Sequence, residues 1–244
     1  MYTDAHRMFL QVMTAKRMLK GQEVKSVFEK CKAVCDLDID DLQQFVLEIN
    51  KQLEIMHMAI RKAVQEEHNE DTQCFVLVNN HSTEATRLVS SFNHQELALF
   101  RKIIEVIVQA EDGCVGENYA LNLGNELQPK MKLKDSENFI EKIVNDNWLI
   151  MHNGLLSISA LTMAEIQPYL QEQHGDDVSK CYFCQILTFK GHRCTSCNVR
   201  VHRQCSKRYW SRVKKPPFCP ESSCSEPWPH IEDVMPKKRL RTDY

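Results

Sequence analysis

Residues 95–110 carry apolar side chains at steps of three and four (Leu97, Phe100, Ile103, Ile104, Ile107), which predicts an amphipathic helix with one buried face. A shorter helix is expected over 118–127. After Pro129 and a lysine-rich turn, Asp135 and Ser136 are candidate N-caps for a third helix striped by Phe139, Ile140, Ile143 and Val144. The run from Trp148 to Met151, then His152-Asn153-Gly154, then Leu155 to Ile158 predicts a hairpin, because Asn-Gly tolerates the positive φ of a tight two-residue turn. A last helix over 161–171 closes the unit. Three helices followed by a two-stranded wing is the order of a winged helix.

The N-terminal pattern is less clear. Residues 5–20 and 22–35 read as helices, and 73–78 as a strand. Residues 40–65 read as one long helix with Leu42, Phe45, Ile49, Leu53, Met56 and Ile60 on one face. With one wing strand visible, both a second winged helix and a plain helical bundle satisfy the pattern. Met8, Met13, Met18, Met56 and Met58 fall at helical spacing and read as core filler.

At 244 residues with 43% hydrophobic content, the chain can build two or three small cores. Its apolar runs are broken by charges well short of the ~20 residues of a membrane span. Asp4, His6 and Arg7 interrupt the start, unlike a secretory signal, so the expectation is an intracellular protein with no membrane partner. Charge then divides the chain. Residues 1–179 hold 17 Lys+Arg against 28 Asp+Glu, a net of −11, whereas 180–244 hold 14 against 5, a net of +9. Such an asymmetry implies different partners for the two parts and a boundary near 173–180. The third helix is poorly suited to phosphate: Asp135, Glu137, Glu141 and Asp146 outnumber Lys134 and Lys142, and the wing tip has no Lys or Arg. Protein partners are therefore favoured over DNA for this unit.

A reducing compartment makes closely spaced cysteines metal ligands before disulfides. Of the 11 cysteines, Cys31, Cys35, Cys74 and Cys114 are scattered and read as buried hydrophobes. The other seven form, with one histidine, the string Cys181-x2-Cys184-x9-Cys194-x2-Cys197-x4-His202-x2-Cys205-x13-Cys219-x4-Cys224. Thiolate and imidazole donors in short pairs suit tetrahedral Zn²⁺, and eight of them make two closed sites with no position left for a catalytic water. Spacing alone permits both sequential and interleaved pairing. The apolar complement is small (Phe183, Ile186, Leu187, Phe189, Val199, Val201), so metal binding, worth about 10–16 kcal/mol for a structural zinc, must supply much of the fold. Tyr182, Phe183, Tyr209, Trp210, Pro217, Phe218 and Pro220 cluster around the ligands, where they either form a docking surface or, for Phe183 and Trp210, fill the small core.

Part of this string resembles lipid-binding C1 domains, but Pro168 and Val213 stand where those carry a histidine and a cysteine. A PHD finger shares the order of ligand types, yet Pro217 occupies the position of its usual large aromatic. The variant RING remains the nearer resemblance, departing from it in the four-residue gap of the last pair and in Ser225, where many active RINGs place a basic residue. With an acidic winged-helix region ahead, the run from Cys197 to Cys205, and Trp228-Pro229-His230 after it, the chain resembles the non-SMC element one family of the SMC five/six complex.

That resemblance implies an α+β, mainly α fold: tandem winged-helix domains (1–92 and 93–175), a two-zinc cross-brace variant RING (180–228) and a basic tail (229–244). It implies interleaved sites, Cys181, Cys184, His202 and Cys205 on one zinc and Cys194, Cys197, Cys219 and Cys224 on the other. It also implies E3 ubiquitin transfer without a covalent residue on this chain, with Phe183, Trp210, Phe218 and Pro220 docking a ubiquitin-conjugating enzyme. A MAGE-family subunit and a kleisin subunit are the implied partners, and DNA repair in the nucleus the implied setting. The run from Pro236 to Arg241 reads independently as a nuclear import signal, and the basic zinc region offers a surface for weak DNA contact.

Overall fold

The computed structural model describes residues 2–67, 71–79, 92–175, 178–213 and 217–228; the basic tail and its import signal lie outside them. The chain divides into two compact units. One comprises Met1–Gln65 and Thr72–Asp177, the other Glu66–Asp71 and Val178–Tyr244.

The first unit repeats one topology twice. Its N-terminal half runs α1 (Asp4–Lys16), β1 (Met18–Lys20), α2 (Gly21–Cys35), α3 (Leu42–Leu53), β2 (Met58–Glu66) and β3 (Asp71–Asn79), with β3 central in the sheet. The second half runs α4 (His94–Gln109), β4 (Val115–Gly116), α5 (Glu117–Leu123), α6 (Leu133–Asn145), β5 (Leu149–His152) and β6 (Leu155–Ile158), with β6 central. Both halves thus have the helix-strand-helix-helix-strand-strand order of a winged helix. Two short helices, α7 (Ala160–Glu165) and α8 (Gln167–Gln173), follow.

Several expectations are corrected by this arrangement. Of the two readings left open for the N-terminal half, its element order is that of the winged helix and not of the plain bundle; the long helix expected over 40–65 does not exist. Helix α3 stops at Leu53, a short 3-10 turn follows, His57 adopts φ 54°, and Met58–Glu66 is a strand. Asn50 makes the reversal possible: its amide donates to the Ile60 carbonyl (3.0 Å) and its oxygen accepts from the Ile60 N–H (2.7 Å). Ile60 is buried in either reading, so its helical spacing from Met56 was misleading; Met56 itself is exposed and fills no core. Likewise, Arg17 at φ 58° ends α1 early and releases Met18–Lys20 to pair with β3. Helix α6 begins at Leu133, so Asp135 lies in its first turn and Ser136 is buried inside it. The helix expected over 161–171 breaks at Ile166, just before Pro168, whose missing N–H is harmless only at a helix start.

The wing of the second half forms as its sequence requires. Asn153 (φ 51°) and Gly154 (φ 74°) make the two-residue turn, and Leu149–His152 pairs antiparallel with Leu155–Ile158. Aromatic side chains fill both cores. In the first, the Phe45 ring stands edge-on to Phe9 (5.5 Å) and Phe28 (5.0 Å); in the second, Phe92 meets Phe100, Phe139 and Trp148. Ala63, Val76 and Val78 of the first wing bury against Ala160 and Leu161 of α7, the Gln65 side-chain oxygen accepts the Ala160 N–H (2.9 Å), and Arg17 reaches Glu165 (2.5 Å). The two winged helices are thereby joined through an apolar contact and two polar anchors. Among the described residues, no helix is long and apolar enough to cross a membrane.

Candidate metal centre

The second unit is built from short elements that each carry ligands. Strands β7 (Ser179–Lys180) and β8 (Leu187–Thr188) pair, as do β9 (His192–Arg193) and β10 (Arg200–Val201), and helix α9 (Arg203–Trp210) follows. The two Cys-x2-Cys turns are local copies of each other. The Cys181 carbonyl accepts the Gln185 N–H (2.9 Å) with Gln185 at φ 61°, and the Cys194 carbonyl accepts the Asn198 N–H (3.2 Å) with Asn198 at φ 63°. Asn tolerates that conformation well, and Arg193 holds the Asn198 side-chain oxygen with Nε and Nη2 (3.1 and 2.9 Å). Each turn points its two sulfurs to one side.

His202 is the N-cap of α9 and Cys205 lies in the first turn, a spacing that presents both on one face. The four-residue gap of the last pair is closed by a turn: the Cys224 N–H donates to Glu221 O (2.9 Å) and the Cys219 N–H to Glu226 O (2.8 Å). The structure gathers the eight side chains into two groups, Cys181, Cys184, His202 and Cys205, and Cys194, Cys197, Cys219 and Cys224, with all ligand atoms of a group within 4.8 Å of one another. The groups interleave along the chain. In the second, Sγ atoms lie 3.8 Å (Cys194–Cys224) and 3.4 Å (Cys197–Cys219) apart, near the edge of about 3.8 Å of a tetrahedron with metal–sulfur bonds of ~2.3 Å. In the first, His202 Nδ1 lies 3.2 Å from Cys184 Sγ, while Nε2 turns away to the Leu187 carbonyl (3.1 Å). Nδ1 is therefore the nitrogen that could serve a metal with the three sulfurs.

The crowded thiols and the imidazole perturb one another strongly. Hydrogen bonds from Cys184 and Cys205 hold the Cys181 thiol far below its usual range, while the same crowding drives Cys205 far above it. Burial raises the Cys194 thiol, but the N–H groups of Cys197 and Ser196 outweigh it and bring it to about 7; burial and its cysteine neighbours push Cys219 up. Burial opposes charging of His202, yet hydrogen bonds to Cys181 and Cys184 and the field of Glu66 raise it to about 10. The donor sets and their spacing could hold metal ions in both groups.

Of the four apolar residues expected to dock a partner, Phe218 is exposed, Phe183 and Pro220 are half-buried, and Trp210 is buried. Trp210 stacks on Trp228 (4.8 Å) inside the domain, so its ring is core and not surface. Phe183 instead stacks on exposed Tyr209 (4.4 Å) and meets exposed Tyr182 edge-on (5.5 Å). Leu187, Phe189 and Val201 are buried as expected, whereas Ile186 and Val199 are only partly covered. Of the scattered cysteines, Cys31 and Cys74 are buried and Cys35 and Cys114 half-buried. Sequence reading missed Glu66 and Asp71, which belong to this unit although they stand more than 100 residues before its first ligand. No ligand spacing points to them.

A winged-helix unit followed by a small domain with two interleaved Cys/His centres defines a RING-like protein, and residues 181–225 match the RING-like domain model. Residues 6–171 match the family described as "Nse1 non-SMC component of SMC5-6 complex". The chain belongs to the Nse1 family. It is 32% identical to the "Non-structural maintenance of chromosomes element 1 homolog" of Bos taurus, over 98% of this chain and 90% of that protein. The Homo sapiens homolog is also 32% identical, over 93% of this chain and 85% of that protein. Among solved structures, a chain of the "Nse1-Nse3-Nse4 complex" superposes with a TM-score of 0.79 at 30% identity, covering 94% of this chain and 98% of that one.

Proposed function

We propose that this chain is an E3 ubiquitin ligase subunit of the SMC five/six complex, whose RING-like domain holds two Zn²⁺ and docks a charged ubiquitin-conjugating enzyme. The observation that carries this reading is the pair of interleaved donor sets in a domain that also presents solvent-reaching aromatics, the contacting Tyr182, Phe183 and Tyr209 and, separately, Phe218. Both centres are saturated by protein donors, so zinc shapes the domain and takes no part in bond making. Catalysis is then orientation: the thioester-charged enzyme is held so that an acceptor amine can attack, and no residue of this chain is acylated. Phe183, Phe218 and Pro220 remain the docking residues; Trp210 supports them from below.

The MAGE-family and kleisin subunits are the partners in this reading, by analogy with the Nse1-Nse3-Nse4 complex, and the setting is chromosome maintenance and DNA repair in the nucleus. The two winged helices, divided as 1–92 and 93–175, bind protein partners through their acidic surfaces, while the basic domain over 180–228 leaves weak DNA contact open.

A second reading, a non-catalytic assembly module, is favoured by one observation. Trp210 is withdrawn into the core and Ser225 stands where active RINGs carry a basic residue, which leaves a reduced docking surface. A PHD-like reader is the weaker variant of this reading, since Pro217 is buried. Ubiquitin, activating enzyme and a panel of conjugating enzymes, with and without the MAGE-family partner, separate the two. Chain formation that F183A or P220A abolishes with two zinc ions retained supports the ligase; no transfer with any enzyme in the presence of the partner supports the assembly module.

A further inference from the structure

Glu66 is 3% exposed, and both of its carboxylate oxygens accept hydrogen bonds. One carboxylate oxygen accepts the Thr188 hydroxyl; the other accepts the backbone N–H of Phe189 (2.9 Å) and of Lys190 (3.2 Å). The first oxygen also lies 3.8 Å from Nε2 of His202, which is fully buried. Three donors converge here on a charge that would otherwise be costly to bury.

The peptide that Glu66 grips is the one that orients the histidine. Leu187, whose carbonyl meets His202 Nε2 at 3.1 Å, immediately precedes Thr188, Phe189 and Lys190. Thr188 Oγ1 accepts the Gly191 N–H (3.0 Å), and the turn closes so tightly that a Cβ at Gly191 would stand 2.4 Å from that oxygen and 2.8 Å from the Val201 carbonyl. Glu66 therefore fixes the segment that aims the imidazole and also places a negative charge beside its outer N–H. Both effects strengthen a histidine whose other nitrogen donates to a metal.

The other end of the same short segment acts on the same centre. Asp71, 3% exposed, accepts the Gln204 N–H (3.2 Å) in the first turn of α9, supplying from outside the helix the side-chain cap that His202 does not provide. The Glu67 carbonyl accepts from Arg203 (2.9 Å). Cys205 is one residue beyond Gln204.

From these contacts we infer that the metal-binding domain is discontinuous: Glu66, Glu67 and Asp71 complete it, and Glu66 is a positioning residue for the centre formed by Cys181, Cys184, His202 and Cys205. This inference rests on the metal reading above. The four-thiolate centre of Cys194, Cys197, Cys219 and Cys224 has no such carboxylate among the described residues, so the two centres should respond differently to Glu66.

The full chain loaded with ¹¹³Cd tests this, because a three-sulfur, one-nitrogen site and a four-sulfur site give separate resonances. In E66Q and in E66A the resonance of the three-sulfur, one-nitrogen site should move and its metal should be lost to a chelator roughly 10-fold faster or more. The four-sulfur resonance and its loss rate should stay unchanged. Two resonances in the wild type that are unmoved in both variants would overturn the inference alone, as would equal acceleration at both sites, the mark of a merely structural residue. A wild-type chain that binds no metal would overturn the metal reading itself.

Discussion

Trp210 and Trp228 stack with ring centroids 4.8 Å apart and planes 23° from parallel, joining the end of helix α9 to the last described residue of the chain. Trp228 is 1% exposed and its indole N–H meets no partner among the described residues. This pair packs in the domain's apolar cluster with Val201 and the ligand cysteines.

Trp228→Ala should destabilise the domain by about 3–5 kcal/mol, the range for removing a buried large aromatic. Trp228→Phe should cost less, because no hydrogen bond is lost with the indole. The midpoint of the chelator-dependent change in tryptophan fluorescence checks both; an unchanged midpoint in W228A would show that the metals alone hold the fold.

Removing one ligand from either centre should lower metal stoichiometry from two to one per chain. Cys197→Ala empties the four-thiolate centre and His202→Ala the other, and each should unfold its own loop and abolish any ubiquitin transfer. Metal content by mass spectrometry under native conditions reads the first outcome. Retention of two ions together with activity would refute the ligand assignment.

Arg17 reaches Glu165 at 2.5 Å with its guanidinium over the Trp148 ring, and Glu165 is only 6% exposed. Arg17→Met should destabilise the winged-helix unit by about 2 kcal/mol, below the range for a fully buried pair because Arg17 is 42% exposed. The double variant R17M/E165Q should recover part of that loss. Urea denaturation of the four species forms the cycle; strictly additive effects would rule out coupling.

His6 is buried, stacks on Phe45 at 4.1 Å, and accepts from the Thr3 N–H. Burial lowers its pKa below 6.5, so the unfolded chain takes up a proton first as pH falls. Its contribution is therefore complete above about pH 6.5 and declines below it, by at most ~1.4 kcal/mol per pH unit, until the folded protein also protonates. Thermal unfolding between pH 7 and pH 5 should show this decline, and His6→Phe should flatten it; an equal slope in both would remove His6 as the cause.

The chain's own spacing determined the donor pairs and the second winged helix's hairpin, because both are local: a Cys-x2-Cys turn presents two donors wherever it occurs, and Asn153-Gly154 closes its hairpin without outside help, whereas which pairs share a group was decided by the tertiary structure. Amphipathic helices α2 and α4 were legible for the same reason. Tertiary structure decided the rest. Met58–Glu66 is a strand because β3 and the Asn50 amide claim its backbone, although Ile60 sits at helical spacing from Met56. Trp210 is core and not docking surface because Trp228 covers it. Glu66 and Asp71 join the metal domain through hydrogen bonds to residues more than 100 positions away, and a carboxylate's partners at that distance leave no periodicity or spacing for a sequence to display.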